Sequence, residues 1–285
     1  MLSRRQFLAI SAAGAAYAAA PSALQAATTR SGLEFGVQLY TVRNRIKDLG
    51  ATLRLIHSIG YATVETFSPV YDRPAKELKA LINACGLTAP SGHFDYATLE
   101  GKIGYAAELG LEYMICPGIP EPMWSSLDGF HRAADYLNRI AVRAHAAGLK
   151  FGYHPLNYEY KPLPGGRGFD VLMREFDPAI KLELDIYWAV EGGQDPLALM
   201  RQNRERLALI HIKDRKPAQG FSYNPLKAAA HNFTEAGSGT IDWKAALGEA
   251  RRLGVTQFYV DQDGSDLPVE QSLRVNWNYL SRLAV

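Results

Sequence analysis

Ala147-Gly148-Leu149-Lys150-Phe151-Gly152-Tyr153-His154 is one joint of a recurring pattern. A helix-like stretch ends at Gly148, a residue suited to the left-handed position that closes a helix. The short β-rich run Phe151–His154 follows and ends in a side chain able to do chemistry. Gly60, Gly86, Gly110 and Gly254 mark the same joint elsewhere in the chain. The predicted strands are Phe35–Leu39, Thr63–Thr66, Thr88–Gly92, Tyr113–Cys116, Phe151–His154, Lys181–Asp185, Ala208–Ile212 and Gln257–Asp261. Amphipathic stretches separate them, at intervals of roughly 25–35 residues. This alternation predicts an α/β fold, a closed parallel (β/α)8 barrel of the TIM type in a single domain. The competing architecture, an open doubly wound sheet, usually carries a glycine-rich nucleotide loop after its first strand. Gly36-Val37-Gln38-Leu39-Tyr40 is not such a loop.

The N-terminus reads as an address. Ser3-Arg4-Arg5-Gln6-Phe7-Leu8 is a twin-arginine pattern, followed by a mild alanine-rich run to about Ala20. That run is too short and too weakly apolar for a stable membrane span. Residues 1–27 are therefore expected to be a twin-arginine signal peptide cleaved near Ala26 or Ala27, with residues 28–285 forming the barrel in the periplasm. A retained anchor is the main alternative. Removing Arg4 and Arg5, the only charges before Ala26, takes the formal net charge from +2 to 0. A neutral mature chain without a basic run argues against nucleic acid as a partner. No further stretch is long and apolar enough to cross a membrane once the signal is removed. Two cysteines, Cys85 and Cys116, do not make a disulfide framework and are expected to be buried thiols. The sequence leaves a homo-oligomer open.

In a barrel of this kind the active site lies where the strands end. The fifth strand ends in His154, the sixth in Asp185, the seventh in His211 and the eighth in Asp261. Two imidazoles and two carboxylates suit one divalent transition metal, Mn, Co, Zn or Fe. Each residue also has a plainer explanation: His154 beside Pro155 as a satisfied histidine, Asp185 as a helix N-cap, Asp261 as part of a solvated turn. Their common position at one end of the barrel favours the metal. His93 follows the third strand. Lys213 adjoins His211 and is a candidate for stabilising an oxyanion, with a solvated lysine as the alternative. Glu65 ends the second strand and could bind a sugar hydroxyl. Tyr40, Phe67, Phe94, Tyr187 and Trp188 would suit the apolar faces of a sugar ring. Two loops stand out: 157–168, carrying Glu159, and the long 213–240, carrying Glu235, a ligand or a loop charge.

These stretches resemble the xylose isomerase-like TIM-barrel family, also described as sugar phosphate isomerases/epimerases. The resemblance covers nearly everything after the signal. It is carried by Gly36-Val37-Gln38-Leu39-Tyr40-Thr41-Val42-Arg43, Tyr153-His154-Pro155-Leu156-Asn157, Leu184-Asp185-Ile186-Tyr187-Trp188, His211-Ile212-Lys213-Asp214 and Gly237-Ser238-Gly239-Thr240-Ile241-Asp242-Trp243. It implies one metal held by Glu, Asp, His and Glu from successive late strands. Asp185 and His211 match. His154 and Asp261 stand where the family has glutamates, which also serve there as acid and base. Glu159 is the candidate for the missing carboxylate.

The expected function is a metal-dependent isomerase or epimerase of a sugar or glycoside, or a related lyase, working through an enediolate-type intermediate. Candidate catalytic residues are Glu159, His93 and Lys213, with His154 a base if it is not a ligand. Candidate substrate contacts are Glu65, Tyr187 and Trp188. The absence of a glycine-rich phosphate cradle, together with export, favours an unphosphorylated substrate. A non-catalytic sugar-binding barrel is the alternative. A relative of the superfamily's DNA-cleaving branch, with its three-zinc cluster, fits poorly with seven histidines and a neutral chain.

Overall fold

Every β-rich run of the sequence becomes one stave of a single closed sheet. The computed structural model describes residues 29–218, 220–225 and 232–285. The expected signal segment and its cleavage point lie outside these residues. The staves are β1 (Gly36–Gln38), β2 (Thr63–Thr66), β3 (Thr88–His93), β4 (Tyr113–Cys116), β5 (Lys150–Tyr153), β6 (Lys181–Asp185), β7 (Leu207–Ile212) and β8 (Gln257–Val260). All neighbours are parallel, and β8 closes against β1 in the order β1-β8-β7-β6-β5-β4-β3-β2. This is the (β/α)8 barrel that the joints predict. The expected bounds shift by a residue at several ends: β3 runs on to His93, while His154 and Asp261 lie just past the last paired residues of β5 and β8.

Helices wrap the sheet: α1 (Leu49–Ile59), α2 (Ala75–Ala84), α3 (Leu99–Leu109), α4 (Leu127–Ala146), α5 (Gly168–Glu175), α6 (Ile186–Glu191), α7 (Pro196–Gln202), α8 (Trp243–Arg252) and α9 (Val269–Leu280). α4 shows how such a helix is specified. Ser126 caps its first turn by accepting from the Gly129 N–H. Phe130, Ala133, Ala134, Leu137, Ile140, Ala141 and Ala144 repeat at helical spacing and are buried. Gly148, at φ +82°, then turns the chain into β5.

Alternation along each strand divides the interior into two cores. Val37, Val64, Met114, Phe151, Leu182, Leu184, Ile210, Ile212, Phe258 and Val260 join the large core with the helices. Tyr113, Ile115, Leu209 and Tyr259 form a separate apolar cluster. Register carries the same parity onward, pairing Glu65 with Ser91, His93 with Ile115, and His211 with both Asp185 and Tyr259. The inward parity thus holds apolar side chains and, nearer the C-terminal ends, ionisable ones.

Gly36 leaves room inside the barrel for the Tyr259 ring: a Cβ there would meet Thr63 Oγ1 and come within 2.6 Å of Tyr259 Cδ1. Gly36→Ala is expected to destabilise the fold by about 1–3 kcal/mol, the usual cost of overpacking. Urea unfolding would measure it, and an unchanged midpoint would refute the tight fit.

Among the described residues no helix is long and apolar enough to cross a membrane. Cys85 and Cys116 are buried and free.

Candidate active site

The barrel brings His154, Asp185, His211 and Asp261 together at its C-terminal end. One donor atom from each lies within 4.8 Å of the others, and all four residues are buried. His154 Nε2 is 3.4 Å from Asp185 Oδ2. His211 Nδ1 is 3.2 Å from Asp261 Oδ2 and 3.8 Å from Asp185 Oδ2. Ligands about 2.0–2.1 Å from a tetrahedral ion stand about 3.3 Å apart, so these separations suit a metal. Asp185 serves two purposes: its Oδ1 caps α6 by accepting from the Trp188 N–H, and its Oδ2 faces the other donors. Asp261 is buried rather than part of a solvated turn.

The donor set passes a test of fit. His154 is buried, yet among the described residues neither ring nitrogen has a well-made hydrogen bond, Nε2 having only Asp185 Oδ2 at 3.4 Å. Such an orphan is costly unless something coordinates it. Burial lowers the His154 pKa, so the ring is neutral and offers a lone pair. His211 presents Nδ1 to the donor set while Nε2 faces Glu65 Oε2 at 2.7 Å. That second contact is the carboxylate support typical of a metal-ligating imidazole.

Lys213 is fully buried, not solvated. Its ammonium lies 2.8 Å from Asp185 Oδ2 and bonds Asp261 and Asp263. Burial works to lower the Lys213 pKa, but the three carboxylates hold it well above its ordinary value. Burial works to lower the His211 pKa, but Glu183, Asp261 and Glu65 hold it well above its ordinary value, so three aspartates face two cationic groups and a divalent ion entering the mouth would displace the His211 Nδ1 proton.

Beneath the mouth lies a second group. His93 Nε2 is 2.6 Å from Glu183 Oε2 and 3.1 Å from Glu65 Oε2. Burial works to lower its pKa, but Glu65 and Glu183 raise it to about 10. Glu65 also accepts from Gln38 Nε2 and Ser91 Oγ. Its oxygens are therefore engaged by protein groups, and it stands behind His93 rather than open to a sugar hydroxyl.

The mouth opens into a cleft of about 420 Å³. His93, His154, Asp95, Asp261 and Asp263 supply its polar wall, and Tyr40, Phe67, Leu156 and Trp188 its apolar one. Of the residues expected to meet substrate, Trp188 lines this cleft, whereas Tyr187 is buried against Trp188 and Phe233. Phe94 is stacked on Tyr71 in the core, away from the mouth surface. Glu159 does not line the cleft. It is buried, accepting from the Tyr153 hydroxyl and the Leu156 N–H, and so pins the loop after β5. Glu235 accepts from Thr234 Oγ1 and Ser265 Oγ, acting as a loop tie.

Burial raises the Glu159 pKa from 4.5 to about 7. The folded state therefore holds this proton more tightly than the unfolded chain. The resulting stability is fully present below about pH 4.5 and is lost as pH rises through about 7. Glu159→Gln should flatten that part of the stability-versus-pH curve, measured by thermal melts. An unchanged slope would remove Glu159 as its source.

Asp214 proves to be the anchor of the long loop. It accepts from the N–H groups of Arg215, Gly237, Gly239 and Ile241 and from Trp243 Nε1. Asp214–Arg215 pairs antiparallel with Phe233–Thr234, and Arg215 reaches the buried Glu191 at 2.6 Å. Gly239 has no room for a side chain, because a Cβ there would overlap Asp214 Oδ1.

Residues 53–261 match the family described as xylose isomerase-like TIM barrel. An inosose dehydratase of Lacticaseibacillus casei is 30% identical over 124 residues, which is 41% of this chain and 41% of that protein. The chain thus spans about two-fifths of the length of this curated relative. A sugar phosphate isomerase/epimerase from Parabacteroides distasonis ATCC 8503 shares the fold at TM-score 0.73 and 23% identity, over 91% of this chain and 97% of that one. An IOLI protein with a binding zinc atom does so at TM-score 0.67 and 15% identity, over 86% and 96%.

Proposed function

Because the chain belongs to the xylose isomerase-like TIM-barrel family, we propose that it is a metal-dependent enzyme that moves a proton next to a carbonyl of a sugar, cyclitol or glycoside. Isomerisation, epimerisation and β-elimination share that first step, and the dehydratase relative is of the eliminating kind. The observation that carries the proposal is the convergence of His154, Asp185, His211 and Asp261, with His154 and Asp261 lining a cleft that has an aromatic wall.

His154, Asp185, His211 and Asp261 would hold a divalent transition metal, and the metal would supply Lewis-acid polarisation of the substrate carbonyl. Lys213 keeps Asp185 and Asp261 ionised and aimed at the same point. Asp263 lines the cleft, and burial raises its pKa to about 6 against the pull of Lys213. A carboxylate poised near neutrality and open to the cleft is the best-placed base. It takes the role that the sequence had pointed toward Glu159. His93 faces the cleft from the opposite strands and is placed to bond a substrate oxygen. Trp188, Tyr40 and Phe67 offer flat apolar surface to the ring.

The test is solvent exchange. Metal-loaded protein would be incubated in D2O with ketoses, aldoses, inososes and oxidised glycosides. Deuterium should enter at the carbon beside the carbonyl, and Asp263→Asn should lower the rate by about 10²–10⁴-fold, the usual contribution of a general base. Binding without exchange for every compound would favour the non-catalytic sugar-binding barrel.

We also propose export by the twin-arginine route to the periplasm, on the Arg4-Arg5 pattern. N-terminal sequencing of the mature protein should find cleavage at Ala26 or Ala27. Unprocessed cytoplasmic protein would contradict it.

A further inference from the structure

We propose that Glu65, His93, Glu183 and His211 form a second cation site one layer below the mouth, with His211 bridging the two sites through its two ring nitrogens. The four residues come from β2, β3, β6 and β7 and their donor atoms lie within 4.8 Å of one another. These atoms form a closed ring. His93 Nε2 is 2.6 Å from Glu183 Oε2 and 3.1 Å from Glu65 Oε2. His211 Nε2 is 2.7 Å from that same Glu65 oxygen and 3.3 Å from Glu183 Oε1. A tetrahedral first-row ion needs ligand edges of about 3.3 Å, so two edges already fit to within about 0.2 Å and the two hydrogen-bonded ones would have to open by about 0.6–0.7 Å. The His93 and His211 rings lie nearly parallel, 21° apart with centroids 5.2 Å from one another. Both therefore present Nε2 to the same two carboxylates.

A separate observation points to a ligand. Glu183 Oε1 is fully buried and, among the described residues, accepts no well-made hydrogen bond; its nearest donor is His211 Nε2 at 3.3 Å, a nitrogen already held by Glu65 at 2.7 Å. A carboxylate oxygen so weakly met in a barrel interior is costly unless a cation meets it. Glu65 is already held as a metal-bound carboxylate would be, by Ser91 Oγ on Oε1 and Gln38 Nε2 on Oε2. Two carboxylates balance the charge of one divalent ion, and two nitrogens with two oxygens suit Zn, Mn, Co or Fe, the ion taking the place of the Nε2 proton that Glu65 and Glu183 otherwise hold on His93. His93 lines the cleft, which gives the ion a way in. The bridge follows from His211, whose Nδ1 faces Asp261 and Asp185 while Nε2 faces Glu65 and Glu183; with the mouth ion alone Nε2 keeps its proton for Glu65, and the inner ion would take the place of that proton, which leaves to solvent, so that His211 bridges as an imidazolate.

The probe is Zn²⁺ alone, added to chelator-stripped whole protein and counted per chain by elemental analysis after desalting, with circular dichroism to confirm folding. Wild type should hold two ions. Glu183→Gln, which keeps shape and removes charge, should hold only the mouth ion. Asp185→Asn should hold only the inner one, and the double variant none. Wild type saturating at one ion that Glu183→Gln retains would overturn the inner site and leave the ring a hydrogen-bonded assembly. One ion lost in Glu183→Gln but kept in Asp185→Asn would uphold the inner site and overturn the mouth site instead. No bound ion in wild type would overturn both.

Discussion

Asp185→Asn should lower kcat/KM by about 10³-fold while leaving the protein folded. The substitution keeps Oδ1, and with it the cap on the Trp188 N–H. What it removes is the charge on the oxygen that faces His154, His211 and Lys213. Burial raises the Asp185 pKa, but Lys213 and the histidines overcome this and hold it below its ordinary value, so wild type presents a carboxylate at neutral pH. Asparagine in its place would weaken the hold on the proposed metal and would leave Lys213 with Asp261 and Asp263 as partners. Asp185→Ala is the harsher contrast, because it also uncaps α6 and should cost about 1 kcal/mol of stability in addition. If Asp185→Asn retained full activity and its metal, Asp185 would be a cap and nothing more.

The second large effect is structural. Asp214→Ala should destabilise the protein by about 4 kcal/mol and lower the melting temperature by about 10 °C. Asp214 is buried and gathers hydrogen bonds from Arg215, Gly237, Gly239, Ile241 and Trp243. Alanine would leave these donors without their acceptor, the Arg215 N–H and the Trp243 indole N–H in buried surroundings and the other three in part-buried ones. The loop they secure joins β7, which bears His211, to α8, so substrate affinity should weaken with stability. Differential scanning calorimetry measures the first effect, and a shift of less than about 3 °C would mean that the donors find other acceptors.

The sequence makes the barrel and the mouth donors legible for one reason. Strand ends in a parallel barrel share a single face, so a polar residue at each end is enough to assemble a site. The second layer is written in the sequence as well, one alternation further back along the strand. Glu183 precedes Asp185 by two residues in Lys181-Leu182-Glu183-Leu184-Asp185, and strand alternation puts both on the inner face. Attention to strand ends alone hides it. Lys213 looked as much like a surface lysine as a buried one, because its three carboxylate partners come from β6 and from the segment after β8. Glu159 and Glu235 look like open loop charges in sequence and are instead hydrogen-bonded ties, Glu159 to Tyr153 on the strand just before its loop and Glu235 to Ser265 from the segment after β8. Tyr187 and Trp188 are adjacent, and only their rotation at the start of α6 decides that Trp188 meets the cleft.

The most direct measurement is anomalous diffraction from crystals grown with MnCl2. A peak is expected about 2.0–2.3 Å from His154, Asp185, His211 and Asp261, with the Lys213 ammonium outside the coordination sphere. Crystals with no peak at the mouth, and Lys213 alone neutralising Asp185 and Asp261, would contradict the metal on which the proposed chemistry depends.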